Sequence, residues 1–556
     1  MATYLKLFET HTQYETFIGG GGNTPFVKPN VSYCVQENEV HYNPRTWADE
    51  YLTFVALEDG TISFDILNSI GTDKITSISY STDNGANWTT TENRNDKQEN
   101  LSITVNVNKG DKILWKGVAK TLGFYVNDEV GFVGSFFSST AKFDAAGNVM
   151  SLIYGDEYKN KITIEKEYTF CFLFCDYNFK KTCGIVNAKN LSLPATTLAS
   201  GCYSGMFFGC TNLVNAPTLP ATTLANSCYS EMFFGCTGLT TAPELPATTL
   251  ASSCYNSMFY VCTGLTTAPE LPATTLANSC YGGMFYGCTS LTTAPSVLPA
   301  TTLADSCYQD MFNGCTKLVN APTLPATTLA NYCYQNMFFD CTNLVNAPVL
   351  PATTLADYCY QYMFDGCTGL VNAPTLPATT LANSCYDFMF SGCTGLTTAP
   401  ELPATILAYS CYSQMFYGCT NLTTAPTLPS TTLATKCYQE MFYDCTGLTT
   451  APELPATTLA SGCYSGMFYG CTKLTTAPEL PATTLADSCY SGMFYGCSLL
   501  NYIKCLATTI SASNCLSNWV SGVASTGTFV KNATARWNVT GVNGIPDGWT
   551  VQDATE

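Results

Sequence analysis

An α/β solenoid of 26-residue units, each a short helix plus a short strand, behind an N-terminal antiparallel β-sandwich domain, is the fold class that this sequence predicts. Three observations predict it. A cysteine recurs at residues 202, 228, 254, 280, 307, 333, 359, 385, 411, 437, 463 and 489, a step of 26 broken once by a step of 27. The sequence around it repeats almost verbatim, as in Leu219 to Glu244, LPATTLANSCYSEMFFGCTGLTTAPE. Upstream, short runs of alternating apolar and polar residues are separated by turn signals. A fixed period of this length marks a solenoid, whose units bury an apolar face only against their neighbours.

Taken in order, residues 1–44 read as an N-terminal anchor segment, with the run Gly19 to Gly22 as a hinge. Residues 45–145 read as the β-sandwich: YLTFVALEDGTISFDI, ITSISYSTDNGANWTT and LSITVNVNKGDKILWKG place Asp59-Gly60, Asn84-Gly85 and Lys109-Gly110 where hairpin turns belong. Residues 146–193 form an N-cap and a degenerate first repeat, since a bare solenoid end would expose a whole apolar cross-section. Residues 194–497 hold the twelve repeats, whose one extra residue lies at Ser296-Val297. Residues 498–556 hold a thirteenth, degenerate turn around Cys515 and a C-terminal cap containing Trp519, Phe529 and Trp549.

Inside the unit beginning at Leu219, Cys228, Tyr229, Met232 and Phe233 span about 140° at 100° per residue, which predicts a short helix with one buried face. Gly235 stands where a left-handed stop is expected, although Val261, Asp340 and Asp444 hold that place in other copies. The Thr-rich stretch from Cys236 to Pro243 predicts a strand of three or four residues, ended by a proline that cannot donate to a ladder. Leu245-Pro246-Ala-Thr-Thr-Leu250 is the loop to the next unit.

Of 30 cysteines, 24 occupy two fixed repeat positions eight residues apart, which is not the CxxC spacing of zinc sites. They read as buried free thiols, with disulfides between like positions of adjacent turns as the alternative. Cys171 and Cys175 belong with the N-cap.

Met232-Phe233, Gly235-Cys236, Leu239, Ala242 and Pro246, repeated through the array, resemble the BspA-type leucine-rich repeat of bacterial surface proteins, L-x-x-I-x-I-P followed by A-F-x-G-C-x-x-L. The resemblance covers roughly residues 170–505. It departs in a longer unit and a second cysteine. It implies a leucine-rich-repeat-like curved solenoid with a ladder of short strands on one face, and surface adhesion or interaction as the role. The closing tail, and an N-terminal segment such as MATYLKLFETHTQYE, look like those of repeat proteins encoded by phages of gut Bacteroides-type bacteria.

Charge and motifs limit the function. The net charge is -18, with 41 acidic and 23 basic residues and arginine only at Arg45, Arg94 and Arg536, which disfavours nucleic-acid binding. Neither a basic and apolar leader nor a run of about 18 apolar residues is present, so the reading is no standard export signal and no membrane insertion; a surface protein of this kind would leave the cell by assembly into a particle and lysis. The hairpin Ser81 to Trp88 resembles the Asp-box of sialidase-like propellers, but with one box and three scattered arginines it reads as a structural turn. Histidine occurs only at His11 and His41, and no nucleophile elbow, phosphate loop or HExxH motif appears, so the expectation is a protein that is not an enzyme and needs no cofactor or metal.

Two rows stand out against the repeat background as a candidate binding surface. The residue after Met-Phe is Phe208, Phe234, Tyr260, Tyr286, Phe339, Tyr417, Tyr443, Tyr469 or Tyr495 in most copies, giving an aromatic row that either stacks on sugars and protein rings or only packs. Glu244, Glu270, Glu401, Glu453 and Glu479 form an acidic row with a neutral middle, either solvated or facing a basic partner. The function expected is a phage virion-associated fibre or adhesin, joined to other virion proteins through its N-terminal region and presenting the solenoid to a bacterial surface glycan or protein. The alternatives are a bacterial cell-surface adhesin and a purely structural capsid or tail decoration. A homo-oligomer, trimeric by analogy with fibres, is the assembly considered.

Overall fold

In a computed structural model, residues 6–8, 33–35, 47–67, 75–92, 101–127, 131–176 and 180–555 are described. The glycine run and most of the 1–44 segment lie outside them, apart from a parallel pair, β1 (Lys6–Phe8) and β2 (Tyr33–Val35).

The N-terminal region is built from β3 (Leu52–Ala56), β4 (Gly60–Ile66), β5 (Ile75–Ser81), β6 (Thr89–Glu92), β7 (Leu101–Val107), β8 (Lys112–Ala119), β9 (Gly123–Asn127), β10 (Gly131–Gly134), β11 (Phe136–Ser139), β12 (Phe143–Asn148) and, after a four-residue helix α1 (Ser151–Tyr154), β13 (Ile185–Ser192). Alternation decides which face is buried: in β7, Ile103, Val105 and Val107 point inward while Ser102, Thr104 and Asn106 are exposed. A six-stranded sheet in the order β13-β12-β3-β8-β5-β6 faces a three-stranded sheet, β11-β4-β7. Phe137 of β11 binds the layers together, 4.7 Å from Phe54 of β3, 4.6 Å from Phe64 of β4 and 5.2 Å from Trp115 of β8, ring centre to ring centre. The antiparallel strands expected over 45–145 are therefore present, but the larger sheet does not end with them. Its edge strand β12 takes β13 as a parallel partner, and Asn187 of β13 bridges to Asn215 of the first full repeat. The sheet thus hands its hydrogen-bonding edge to the solenoid.

The helix expected in each unit is not formed. In the unit of Cys228, the amides of Ser227, Tyr229, Glu231, Phe233 and Gly235 donate to carbonyls of the next unit (Ser252, Cys254, Asn256, Met258 and Tyr260) at 2.7 to 3.0 Å. The amides between them, of Cys228, Ser230, Met232, Phe234 and Cys236, donate three residues back at 3.0 to 3.3 Å. An α-helix would use every amide internally, four residues back. Here every fourth residue is left-handed instead, at Ser227 (φ 52°), Glu231 (57°) and Gly235 (69°). The segment is a chain of overlapping turns with a four-residue period. The pairs Cys228-Tyr229 and Met232-Phe233 obey that period as well as they obey a helical face, and so the pattern alone pointed to the wrong element.

Because each turn is hydrogen-bonded to the same atoms of the next, identical side chains are held one above another. Tyr229 stacks on Tyr255 at 5.9 Å and Phe233 on Phe259 at 5.5 Å, with ring planes within 7°. These columns, with Met232, both cysteines and Leu239, are the core and are fully buried. The second cysteine also acts as a donor: the Cys236 thiol reaches the Phe207 carbonyl of the preceding unit at 3.1 Å, and Cys262, Cys341 and Cys419 repeat the contact at 3.0 to 3.1 Å. Burial pushes these thiols up, to about 12 for Cys288 and Cys419, which keeps the proton that the bond needs. The cysteines from Cys171 to Cys515 are all free.

The expected strand shrinks to single-residue contacts. Thr241 bridges Thr267, which bridges Thr293, and a second line of bridges joins Thr249 to Thr275. Between the two lines stand Pro243 and Pro246, which have no amide to donate. The extra residue falls there too: Ser296 bulges out and its amide and hydroxyl bond to Glu270 at 3.2 and 3.0 Å. At the far end, β14 (Tyr502–Cys505), β15 (Thr528–Lys531) and β16 (Thr550–Asp553) make a parallel sheet. Trp519 covers the last rings of both core columns, Tyr490 at 6.4 Å and Phe494 at 6.1 Å, and its indole donates to Gly544 at 2.8 Å.

Glycine is the usual residue at the left-handed position before the second cysteine, whereas Val261 is held there at φ 55°. A β-branched residue in this region is strained by about 1–2 kcal/mol. Val261→Gly should therefore raise stability by about 1 kcal/mol, read as a higher midpoint in chemical denaturation; a lower midpoint would contradict the strain argument.

Candidate functional site

The four-residue turn period fixes which side chains leave the core. The two residues after Cys-Tyr and the residue after Met-Phe lie outside the stacked columns and differ from copy to copy; most are partly exposed, while Ser204, Asn313, Asp387 and Ser391 among them are buried.

The aromatic row lies here, half-buried except for Tyr495, which is 37% exposed. It is not continuous. Phe208, Phe234, Tyr260 and Tyr286 form one stack with centroids 4.4 to 4.6 Å apart. Tyr417, Tyr443, Tyr469 and Tyr495 form a second at 4.2 to 4.6 Å. Between them the row reads Asn313, Phe339, Asp365 and Ser391. Within a stack each ring covers its neighbour's face, so edges and the end rings are what the row offers outward.

The acidic row lies elsewhere, beside the threonine bridges. Glu244 and Glu270 are exposed and line a trough together with Pro246, Pro269 and Pro272. Glu270 is engaged by Ser296, and Glu479 pairs with Lys504 at 3.0 Å. Between the acidic stretches the same face carries exposed Val319, Val345 and Val371, with Val349 72% exposed. The two rows are not brought together in one pocket.

Two features escaped the sequence reading. A polar ladder, Gln309 to Gln335 at 3.0 Å, Gln335 to Gln361 at 2.6 Å and Gln361 to Asp387 at 2.9 Å, runs along the array beside the aromatic row. A depression of about 590 Å³ opens at Gly282-Gly283 between Tyr286 and Phe339. Both arise at the two residues after Cys-Tyr, and copy-to-copy variation at those residues was the signal that could have found them.

The Asp-box hairpin serves its own turn. Asp83 accepts from the Ser81 hydroxyl at 2.7 Å and from the Asn87 amide at 2.9 Å, and these bonds hold its carboxyl down at about 2. Trp88 packs on Tyr51 and under the Lys116 ammonium, 4.2 Å from the ring centre. Among the described residues no group of three or more His, Cys, Asp or Glu is placed to hold a metal ion, and no helix is long and apolar enough to cross a membrane.

A family model described as the BspA type leucine rich repeat region (6 copies) matches residues 176–311, 284–423, 334–474 and 383–521. The chain belongs to the BspA-type leucine-rich repeat family. A solved leucine-rich repeat protein from Bacteroides ovatus is similar at 19% identity over 66% of this chain and 83% of that chain, with a TM-score of 0.39. No curated protein matches the chain.

The outward face of the middle repeats is electrostatically unusual. Burial raises Asp365 and Asp387 to about 6; Ser391 works against the shift at Asp365, where Asp340 adds to it, and Gln361 works against it at Asp387. In the unfolded chain such carboxyls titrate near 3.9. As pH falls from about 6 toward 4, the folded state takes up protons that the unfolded state does not, so stability rises; above 6 both carboxylates are ionised and this contribution is gone. Thermal melts at pH 7.5 and 5.0 should show a larger acid-induced rise for the natural chain than for Asp365→Asn/Asp387→Asn. Equal rises would refute the assignment.

Proposed function

We propose that this is a non-enzymatic surface-adhesion protein, in which the solenoid is a rigid scaffold and its outward, internally variable columns recognise an extended partner. One observation carries the reading. Within near-identical units, the buried Cys, Tyr, Met-Phe, Cys and Leu columns hardly change, whereas the outward residues after Cys-Tyr and after Met-Phe do. A purely structural array has no need of such differences on one face. Membership of the BspA-type family supports a surface role. The nominated recognition residues are the aromatic row, with the exposed glutamates and valines of the opposite trough as a further surface.

The finer placement that we propose is a virion surface, with the N-terminal region, read as an anchor and β-sandwich, joined to other virion proteins and the solenoid facing a bacterial surface glycan or protein. The cell surface of a bacterium is the other placement. Mass spectrometry of purified particles finds the protein on the first reading and misses it on the second, where surface shaving of cells recovers it. In either setting, fluorescently labelled full chain should adsorb to target cells, and removal of residues 194–497 should lower adsorption at least tenfold. Undiminished adsorption after that deletion would leave the solenoid as decoration only.

A further inference from the structure

Gly282-Gly283 is a local departure from the repeat. The flanking units carry Asn256-Ser257 and Gln309-Asp310 at the same places, so the missing side chains leave an open depression of about 590 Å³. A volume of this size falls in the ordinary range for small-ligand sites. Tyr286 closes one end: it stacks on Tyr260 at 4.4 Å, but on its other side the row holds Asn313. Asn313 is buried and fills the row between Tyr286 and the next ring, Phe339, so the open space lies over Gly282-Gly283, beside Tyr286, with Phe339 at its far border.

Polar groups line this space. Asp310 is fixed by the Asn313 amide at 2.9 Å, with Gln309, Asn336 and Asn256 around it. Amides and a carboxylate at the edge of a ring site match the hydroxyl rim of a sugar, whose C–H face suits an aromatic ring. Asp310 is the one charged side chain in the lining and no Lys, Arg or His joins it, so an anionic sugar would meet repulsion without compensation.

We propose that the depression over Gly282-Gly283 is a binding site for a neutral sugar ring, set against Tyr286 and hydrogen-bonded by Asp310 and its neighbouring amides. The inference rests on the adhesion reading and names its ligand class. Two independent changes test it. Gly282→Gln/Gly283→Asp installs the neighbouring unit's own pair and fills the depression; Gly283 already has φ 59°, close to the 56° of Asp310, and a Cβ at Gly282 meets the end of the Asn256 side chain at 2.8 Å, which has to swing aside. Tyr286→Asn removes the terminal ring and installs the residue that the next unit carries. Val539→Ala, an exposed residue of the C-terminal cap outside both rows, is the control. The probes are malto-, cello-, manno- and chito-pentaose, with oligogalacturonate and trisialic acid as anionic comparators, read by saturation-transfer NMR and calorimetry on the full chain.

At least one neutral probe should bind, with at least tenfold loss in both test variants, little change in the control and no binding of the anionic comparators. Absence of signal from every neutral probe, survival of binding in both test variants, or preference for an anionic comparator would overturn the proposal. Adsorption of the full chain to cells without any neutral-sugar signal would overturn this site while leaving the adhesion reading intact.

Discussion

Every second amide of the Cys-Tyr segment donates to the following unit, and the rest of the array depends on that. The alternation leaves each turn half-satisfied by itself and half by its neighbour, so no unit is complete alone. It requires a left-handed residue every fourth position, which suits the glycines found at many of them, while Glu231, Tyr332 and Phe388 are held in the same conformation by the ladder. It also sets like atoms opposite like atoms, and the tyrosine and phenylalanine columns follow without further instruction. The thiol bond from each second cysteine to the preceding unit's phenylalanine carbonyl adds a side-chain tie to the same backbone ladder.

Capping follows from the same rule. A column of stacked rings has two open ends, and both are covered by aromatic side chains outside the regular repeats. Phe170 and Phe174 lie on Tyr203 and Phe207 at 5.7 and 5.0 Å at the start, and Trp519 lies over Tyr490 and Phe494 at the finish. The N-terminal sheet adds a second join, since β13 carries backbone pairing from one architecture into the other. The molecule is therefore stitched along two lines, rings in the interior and amides at the edge.

The repeat, its caps and its buried columns were legible in the sequence because a 26-residue period with fixed Cys, Phe and Leu leaves little freedom. The local element was not. A four-residue spacing of apolar pairs fits a helix of 3.6 residues per turn over only two turns, and Cys228 to Phe233 is no longer than that. The bridge at Thr241 falls in the stretch read as a short strand ended by Pro243, whereas the second line at Thr249 falls in the segment read as a loop, because its flanking prolines signal a loop and a single bridging residue leaves no strand pattern. For the recognition surface, the aromatic row was visible as a list of residues. Its break at Asn313, and the space at Gly282-Gly283, needed neighbouring turns to be placed side by side.

The bulge at Ser296 shows where this architecture keeps its slack. The chain gains a residue there, yet Thr302 still meets Thr328 and the Cys-Tyr ladder from Tyr281 to Cys307 is closed at 3.0 Å. The array registers turns, not residues, and it resets its phase at each ladder. The proline segment between the two bridge lines takes up the extra residue while Val297 and Leu298 still pair with Thr323 of the next turn, so its length can change without shifting the ladders. Foreign sequence carried there would ride on the outside of the solenoid, once per turn, at a spacing that the scaffold dictates.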